Sequence, residues 1–221
     1  MQQRKQMSET FQVGIILACV GGFLDAYTYI CRGGVFANAQ TGNIVLLGIN
    51  IAQRNIKGGI RCLIPILAFA AGVIIAEMIR KRFKEASKLH WRQIIVVCEI
   101  FILAGVSFLP QSNKYNNIAN IIVSFVCSLQ VQSFRKMNGK TFATTMCTGN
   151  LRSATEHLFK WFNKKDKRSL QYSLQYFGII AFFIVGTILG AIFAINFGAK
   201  SLLFACVGLI AVFGLMFKEH L

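Results

Sequence analysis

Gly21-Gly-Phe-Leu-Asp-Ala-Tyr-Thr-Tyr-Ile-Cys-Arg-Gly-Gly-Val-Phe-Ala-Asn-Ala-Gln-Thr-Gly-Asn-Ile-Val-Leu-Leu-Gly48 is the stretch that decides the fold. It starts deep in an apolar segment, carries a carboxylate at Asp25, breaks at Gly33-Gly34 and restarts at Thr41-Gly42-Asn43 as a short apolar piece. Paired glycines end a helix, and the run between them and Thr41 has few helix signals. The tripeptide returns at Thr148-Gly149-Asn150, 107 residues on, again after a long apolar segment. The same offset lays Asp25-Ala26-Tyr27 over Gln132-Ser133-Phe134: polar, small, aromatic in both. Two related halves that each interrupt an apolar chain with polar residues are the sequence pointer to a membrane transport site.

The rest of the chain fits a membrane setting. Of 221 residues, 55% are hydrophobic and the mean hydropathy is +0.55, too apolar for an ordinary soluble domain. A helix needs about 20 apolar residues to cross a bilayer. Phe11–Cys31, Gly59–Ile79, Gln93–Leu109, Asn117–Phe134, Leu174–Phe197 and Ser201–Phe217 meet or approach that length. The first is too long for a signal-peptide core and lacks a small-residue cleavage site, so it reads as a retained span. Thr41–Ala52 and Thr148–Trp161 are too short to cross, and read as re-entrant half-helices.

The net charge of +16 would suit nucleic acid, but its distribution suits topology. Arg80, Lys81, Arg82, Lys84, Lys88 and Arg92 separate spans two and three. Arg135, Lys136, Lys140, Arg152, Lys160, Lys164, Lys165, Lys167 and Arg168 separate spans four and five. Cytoplasmic loops collect Lys and Arg, which puts both loops inside. Arg4 and Lys5 put the N-terminus there too, and six crossings return the C-terminus, with Lys218, to the same side. Arg32, Arg54, Lys57, Arg61, Lys114 and Lys200 fall outside, and the group Arg54, Lys57, Arg61 fits the charge rule least well. The expectation is a multi-pass protein of the bacterial plasma membrane with both termini cytoplasmic.

Three crossings per half is an odd number, so homologous halves joined in series must point in opposite directions. The expected fold is therefore an all-α integral membrane protein, a single membrane domain over 1–221. It has six transmembrane helices as two inverted three-helix repeats, about 11–110 and 116–218, each with one half-helix starting at Thr-Gly-Asn. Thr or Asn is expected as the N-cap of each half-helix. Their N-termini would then face each other near the midplane and favour an anion or a carbonyl oxygen. Two capped turns that plug the fold and bind nothing are the plainer alternative. Stripes of small residues (Gly14, Ala18, Gly22, Ala26; Ala68, Gly72, Ala76; Gly186, Gly190, Ala194, Gly198) predict close helix packing.

The candidate solute contacts are Asp25, Asn38, Gln40, Thr41, Asn43, Gln132, Thr148 and Asn150, with Arg152 as an anion contact. Asp25 stands three residues after Gly22, on the face of the small-residue stripe, and an intramembrane carboxylate is costly enough to suggest function. Its structural alternative is to cap backbone groups or to pair with Arg135. Gln130 and Gln132 are its counterparts in the second half. Glu99 is intramembrane without an evident partner, and Glu77 is expected to pair with Arg80 or Lys81. Arg152, Glu156 and Lys160 form a ladder at helical spacing. Seven scattered cysteines, with no C-x-x-C pair, read as small buried hydrophobes. No metal-spaced or catalytic cluster stands out, and His90, His157 and His220 fall near the cytoplasmic edge. No cofactor and no enzyme activity are expected.

The quoted run Gly21–Gly48 closely resembles the signature of the YoaK family of bacterial membrane proteins, and Thr148-Gly-Asn-Leu-Arg-Ser-Ala-Thr-Glu156 resembles that family's second motif. The resemblance spans the chain and implies a bacterial plasma-membrane protein, with no activity attached. The residues themselves favour a transporter or channel-like facilitator for a small polar solute or anion. The alternatives are a non-transporting interaction or scaffold protein, whose basic loops dock a partner or anionic lipid, and, ranked last, an intramembrane enzyme. The bilayer is the expected partner, nucleic acid is not, and a homo-oligomer is compatible with these features.

Overall fold

The computed structural model describes residues 7–83, 91–137, 140–142 and 145–217. Arg4, Lys5, Lys84, Lys88, His90, Gly139, Lys218 and His220 lie outside the described residues. After a 3-10 turn at Met7–Glu9, eight helices follow: α1 Phe11–Cys31, α2 Gln40–Ala52, α3 Ile56–Phe83, α4 Trp91–Ser107, α5 Asn113–Ser133, α6 Cys147–Lys164, α7 Lys167–Phe197 and α8 Leu202–Phe217. A two-residue hairpin (β1 Lys136–Met137, β2 Lys140–Thr141) lies between α5 and α6. The protein is helical throughout its core. α1, α3 and the α7–α8 segment are long and apolar enough to cross a membrane.

Local chemistry sets the boundaries. Thr10 caps α1, its Oγ1 accepting from Val13 N at 3.5 Å. The helix ends at Arg32, and Gly33 and Gly34 take φ of 87° and 78°, a region costly for any residue with a Cβ. Asp166 caps α7 by accepting from Arg168 N and Ser169 N. The expected caps of the half-helices differ. α2 and α6 start one residue before Thr41 and Thr148, so the N-cap residues are Ala39 and Met146, and neither makes a side-chain cap. The threonines sit inside the first turn, with free hydroxyls.

Helix packing pairs elements across the two halves. α1 packs mainly on α7, and α3 mainly on α5; α2 lies on α3, α6 on α7, and α4 on α8. Exchanging the halves (α1 with α5, α2 with α6, α3 with α7, α4 with α8) maps these pairs onto one another. α1 and α7 run parallel: a Cβ on Gly186 would strike the Cys19 carbonyl, one on Gly190 would lie 2.7 Å from Phe23 Cα, and Cys31 Sγ reaches Ala194 O at 3.7 Å. The stripes on α1 and α7 thus meet backbone to backbone, as small residues permit where lipid supplies no hydrophobic drive. α3 and α5 are likewise parallel, with Gly72 against Phe125 and Ser128, and Glu77 against Gln132.

α1 and α5, the first long helices of the halves, run antiparallel. Asn120 Nδ2 donates to Arg32 O at 2.7 Å, while Gln130 Nε2 donates to Leu17 O at 3.1 Å. Both helices have 21 residues, starting at Phe11 and Asn113 and ending at Cys31 and Ser133, a constant offset of 102. α2 and α6 start at Gln40 and Cys147 and keep the offset of 107. The second half therefore carries five extra residues between its first two helices, where the hairpin sits. The residue at the place of Asp25 is Cys127, and Gln132 stands one turn too far along.

Candidate functional site

The chain leaves α1 at Arg32, turns at the glycines and runs back along the helix it has just left. Asn38 N donates to Asp25 Oδ1 at 2.8 Å, and Asn38 Nδ2 to Gly21 O at 3.2 Å. Gly21 is the eleventh residue of 21 in α1, so α2 begins at the middle of α1's length. The approach to α6 arrives at the same level, where the Thr145 methyl packs on Gly21 with no room for a Cβ between them. Both short helices thus start at half the height of α1, from two directions.

A cavity of about 710 Å³ lies between these starts. Asp25, Asn38, Gln40, Thr41, Thr145, Thr148 and Thr187 supply its polar groups. Ala26, Tyr29, Ile30, Phe36, Phe69, Val131 and Phe183 make much of the remaining wall apolar. Tyr29 and Phe36 stack at 5.0 Å between ring centres. No N-cap side chain serves the first turns of α2 and α6, although in α2 Gln40 N and Gly42 N donate to Asn38 O and Ala39 O at 2.8 and 2.9 Å. Such turns carry partial positive charge, and Asp25 sets one negative group beside them. Asp25 is 6% exposed and holds the extended run in place through Asn38, so the backbone-capping alternative describes part of its work.

The sequence candidates divide. Asp25, Asn38, Gln40, Thr41 and Thr148 line one cavity. Asn43 and Asn150 are buried and do not line it. Asn43 Nδ2 donates to Phe36 O at 3.0 Å and to Gln40 Oε1 at 2.9 Å, which fixes the bend ahead of α2. Gln132 is elsewhere: its amide donates to Glu77 Oε1, and Val131 takes its place at the cavity wall. Arg152 is exposed on α6 and does not line the cavity. Glu77 pairs with Arg80 at 3.2 Å, and Arg135 stands 4.0 Å from Glu77 rather than at Asp25. In the ladder on α6, Lys160 bonds Glu156 at 2.6 Å. His157 stacks on Tyr176 at 6.1 Å, between α6 and α7.

Two further charged groups are buried away from this cavity. Arg32 is 1% exposed and donates to Tyr27 Oη, Pro110 O, Asn116 Oδ1, Val106 O and Leu109 O. All five guanidinium N–H groups are satisfied by neutral oxygens, and the charge closes the C-terminal end of α4, where the helix dipole is negative. Its position at the foot of an apolar helix, just before paired glycines, was the available signal. Glu99 is fully buried in α4, and among the described residues neither carboxyl oxygen has a hydrogen-bond partner. Cys127 lies within electrostatic reach of both Glu99 and Asp25.

The family described as "Protein of unknown function (DUF1275)" matches residues 13–215, nearly the whole chain. A curated relative, the UPF0700 transmembrane protein YoaK of Bacillus subtilis (strain 168), is 26% identical over 213 residues, 93% of this chain and 92% of the relative. No solved structure matches. The chain belongs to the DUF1275 family and is a helical membrane protein.

Proposed function

We propose that this protein is a transporter or channel-like facilitator for a small solute, which binds between the starts of α2 and α6. The observation that carries the reading is the convergence of both short helices on Gly21, around a cavity that also holds Asp25. Non-helical backbone at membrane depth is tolerated where it lines a cavity, and paired broken helices are a recurring way to build a solute site. The antiparallel course of α1 and α5, with cross-half pairing that survives exchange of the halves, supports an inverted repeat over about 11–110 and 116–218. In that frame α2 and α6 are re-entrant, six helices cross the plasma membrane, and both termini are cytoplasmic. The mixed lining selects a solute with an apolar body and one polar or anionic end. The polar end would meet the uncapped first turns, Thr41 and Thr148.

A solute screen by thermal shift on purified protein, followed by uptake into proteoliposomes, tests the reading. A Thr148→Trp variant should fill the cavity and abolish both solute stabilisation and flux while keeping a cooperative unfolding transition. Flux that survives the filled cavity would place the path elsewhere; absence of any solute effect and of flux would favour a scaffold. Cysteines placed at Arg82 and Lys164, with the exposed Cys98 replaced, should react with an impermeant reagent from the same side. Labelling from opposite sides would end the inverted-repeat assignment.

A further inference from the structure

Lys57 and Arg61 stand at the end of the bundle where α1, α4 and α7 finish and α3, α5 and α8 begin. The chain has eight Asp and Glu residues. Asp25 and Glu99 are mid-helix; Glu9, Glu77, Glu156 and Asp166 belong to the opposite end; Glu85 and Glu219 lie outside the described residues. Among the described residues, then, no carboxylate faces these two cations, and neither makes an ion pair. Both line a second cavity, of about 440 Å³, formed by α3 and α5.

That cavity changes character along its length. Lys57, Arg61 and Asn117 make one end polar; Ile64, Pro65 and Ile121 make the other mainly apolar, with Asn120, bonded to Arg32 O, as the polar group there. α3 and α5 are parallel here, so both walls pass from polar to apolar in the same direction. From Lys57 to Pro65 the rise is about 12 Å at 1.5 Å per residue. The uncharged stretch Cys62–Ala76 follows, and Arg80, Lys81 and Arg82 close the helix at its other end. A helix of 28 residues is longer than the hydrocarbon core requires, which sets Lys57 and Arg61 at headgroup level. Unpaired cations at that level, continuous with an apolar trough pointing into the bilayer, match an amphiphile with an anionic head.

We propose that this cavity is a binding site for an anionic phospholipid, with its phosphate between Lys57 and Arg61 and the upper part of an acyl chain against Ile64, Pro65 and Ile121. Two of the three cations that fit the charge rule least well, Lys57 and Arg61, are thereby accounted for: they are neutralised by lipid rather than by protein. The site is separate from the cavity at Asp25 and does not depend on transport.

Titration of the full chain with phosphatidylglycerol, phosphatidylcholine of the same chains, or soluble glycerol phosphate, read by native mass spectrometry, tests it. Phosphatidylglycerol should bind in preference to phosphatidylcholine. A Lys57→Gln/Arg61→Gln variant should bind phosphatidylglycerol about thirtyfold more weakly, the worth of two cations near an anionic headgroup. Lys57→Arg/Arg61→Lys should keep the affinity, and Lys200→Gln, at the same end but outside the cavity, should leave it unchanged. Equal binding of phosphatidylcholine, or full binding by the double glutamine variant, would overturn the proposal. Glycerol phosphate binding as tightly as the lipid would overturn the choice of occupant in favour of a soluble anion.

Discussion

α1 and α5 hold matching places 102 residues apart, and their residues differ in a consistent direction. Where α1 has Asp25, α5 has Cys127; where α1 ends on the buried Arg32, α5 ends on the buried Phe134. The fourth helices repeat the contrast. Eight residues before its end α4 buries Glu99, while α8 buries Leu209. The first half carries charge at three places where the second half has neutral side chains. The charged groups of these helices thus lie in the first half, while the second half gives the cavity only neutral polar groups, Thr145, Thr148 and Thr187.

The crossings of the paired helices give the largest test of this division. At α1–α7 the added Cβ of Gly186→Ala meets the backbone carbonyl of Cys19, which cannot rotate away. At α3–α5 the Cβ of Gly72→Ala first meets the Ser128 hydroxyl, which can, with Phe125 O at 2.7 Å behind it. Gly186→Ala should cost about 3 kcal/mol or more and Gly72→Ala about half that, by overpacking. Thermal unfolding in detergent would measure both, and adding Ser128→Ala should rescue part of the second loss only. Equal losses at the two crossings would remove the asymmetry.

Arg32→Met comes next. It strips a charge from five hydrogen bonds and leaves the last carbonyls of α4 without donors, at about 3 kcal/mol. Phe134→Met, at the matching place, should cost about 1 kcal/mol. Glu99→Leu runs the other way. A buried carboxyl with no partner is a liability to the fold, and copying the leucine of α8 should raise stability by about 1 kcal/mol. A loss of stability would mean that Glu99 has a structural partner.

The smallest effect is electrostatic and lies at the α6–α7 junction. The Ser169 hydroxyl, then the Arg168 and Ser169 N–H groups, hold the Asp166 carboxyl below its ordinary 3.8. A depressed carboxylate contributes stability above its unfolded pKa and loses it as pH falls through the folded value. The cap should thus persist at pH 5 and fade below about pH 4. The protection of the Arg168 and Ser169 amides, taken relative to the intrinsic exchange rate at each pH, should fall there, and Asp166→Asn should flatten the profile.

The helical fold was largely legible, because long apolar runs and basic loops leave few choices. All six long segments returned as helices, extended mainly where polar residues continue them beyond the apolar stretch, as at Lys167–Ser173. Asp25 and both Thr-Gly-Asn segments were legible because polar residues in such company are costly. Gln132 was misread, since the five residues added after α5 shift the register without leaving a mark on the motif. The caps were misassigned because Ala39 and Met146 carry no capping chemistry. Arg32 was counted among loop charges, because its partners are backbone carbonyls that no side-chain pattern encodes.

Because α1 is keyed into α7 and α3 into α5, the first and second halves of the chain are interlocked and cannot separate along the boundary between them. The packing gathers α1, α6 and α7 into one raft and α5, α2 and α3 into another, joined by the hydrogen bonds of Asn120 to Arg32 O, Gln130 to Leu17 O and Asn38 to Asp25. Each of these rafts carries one short helix, so a relative tilt of the two would widen or pinch the gap between Thr41 and Thr148 without breaking a glycine crossing.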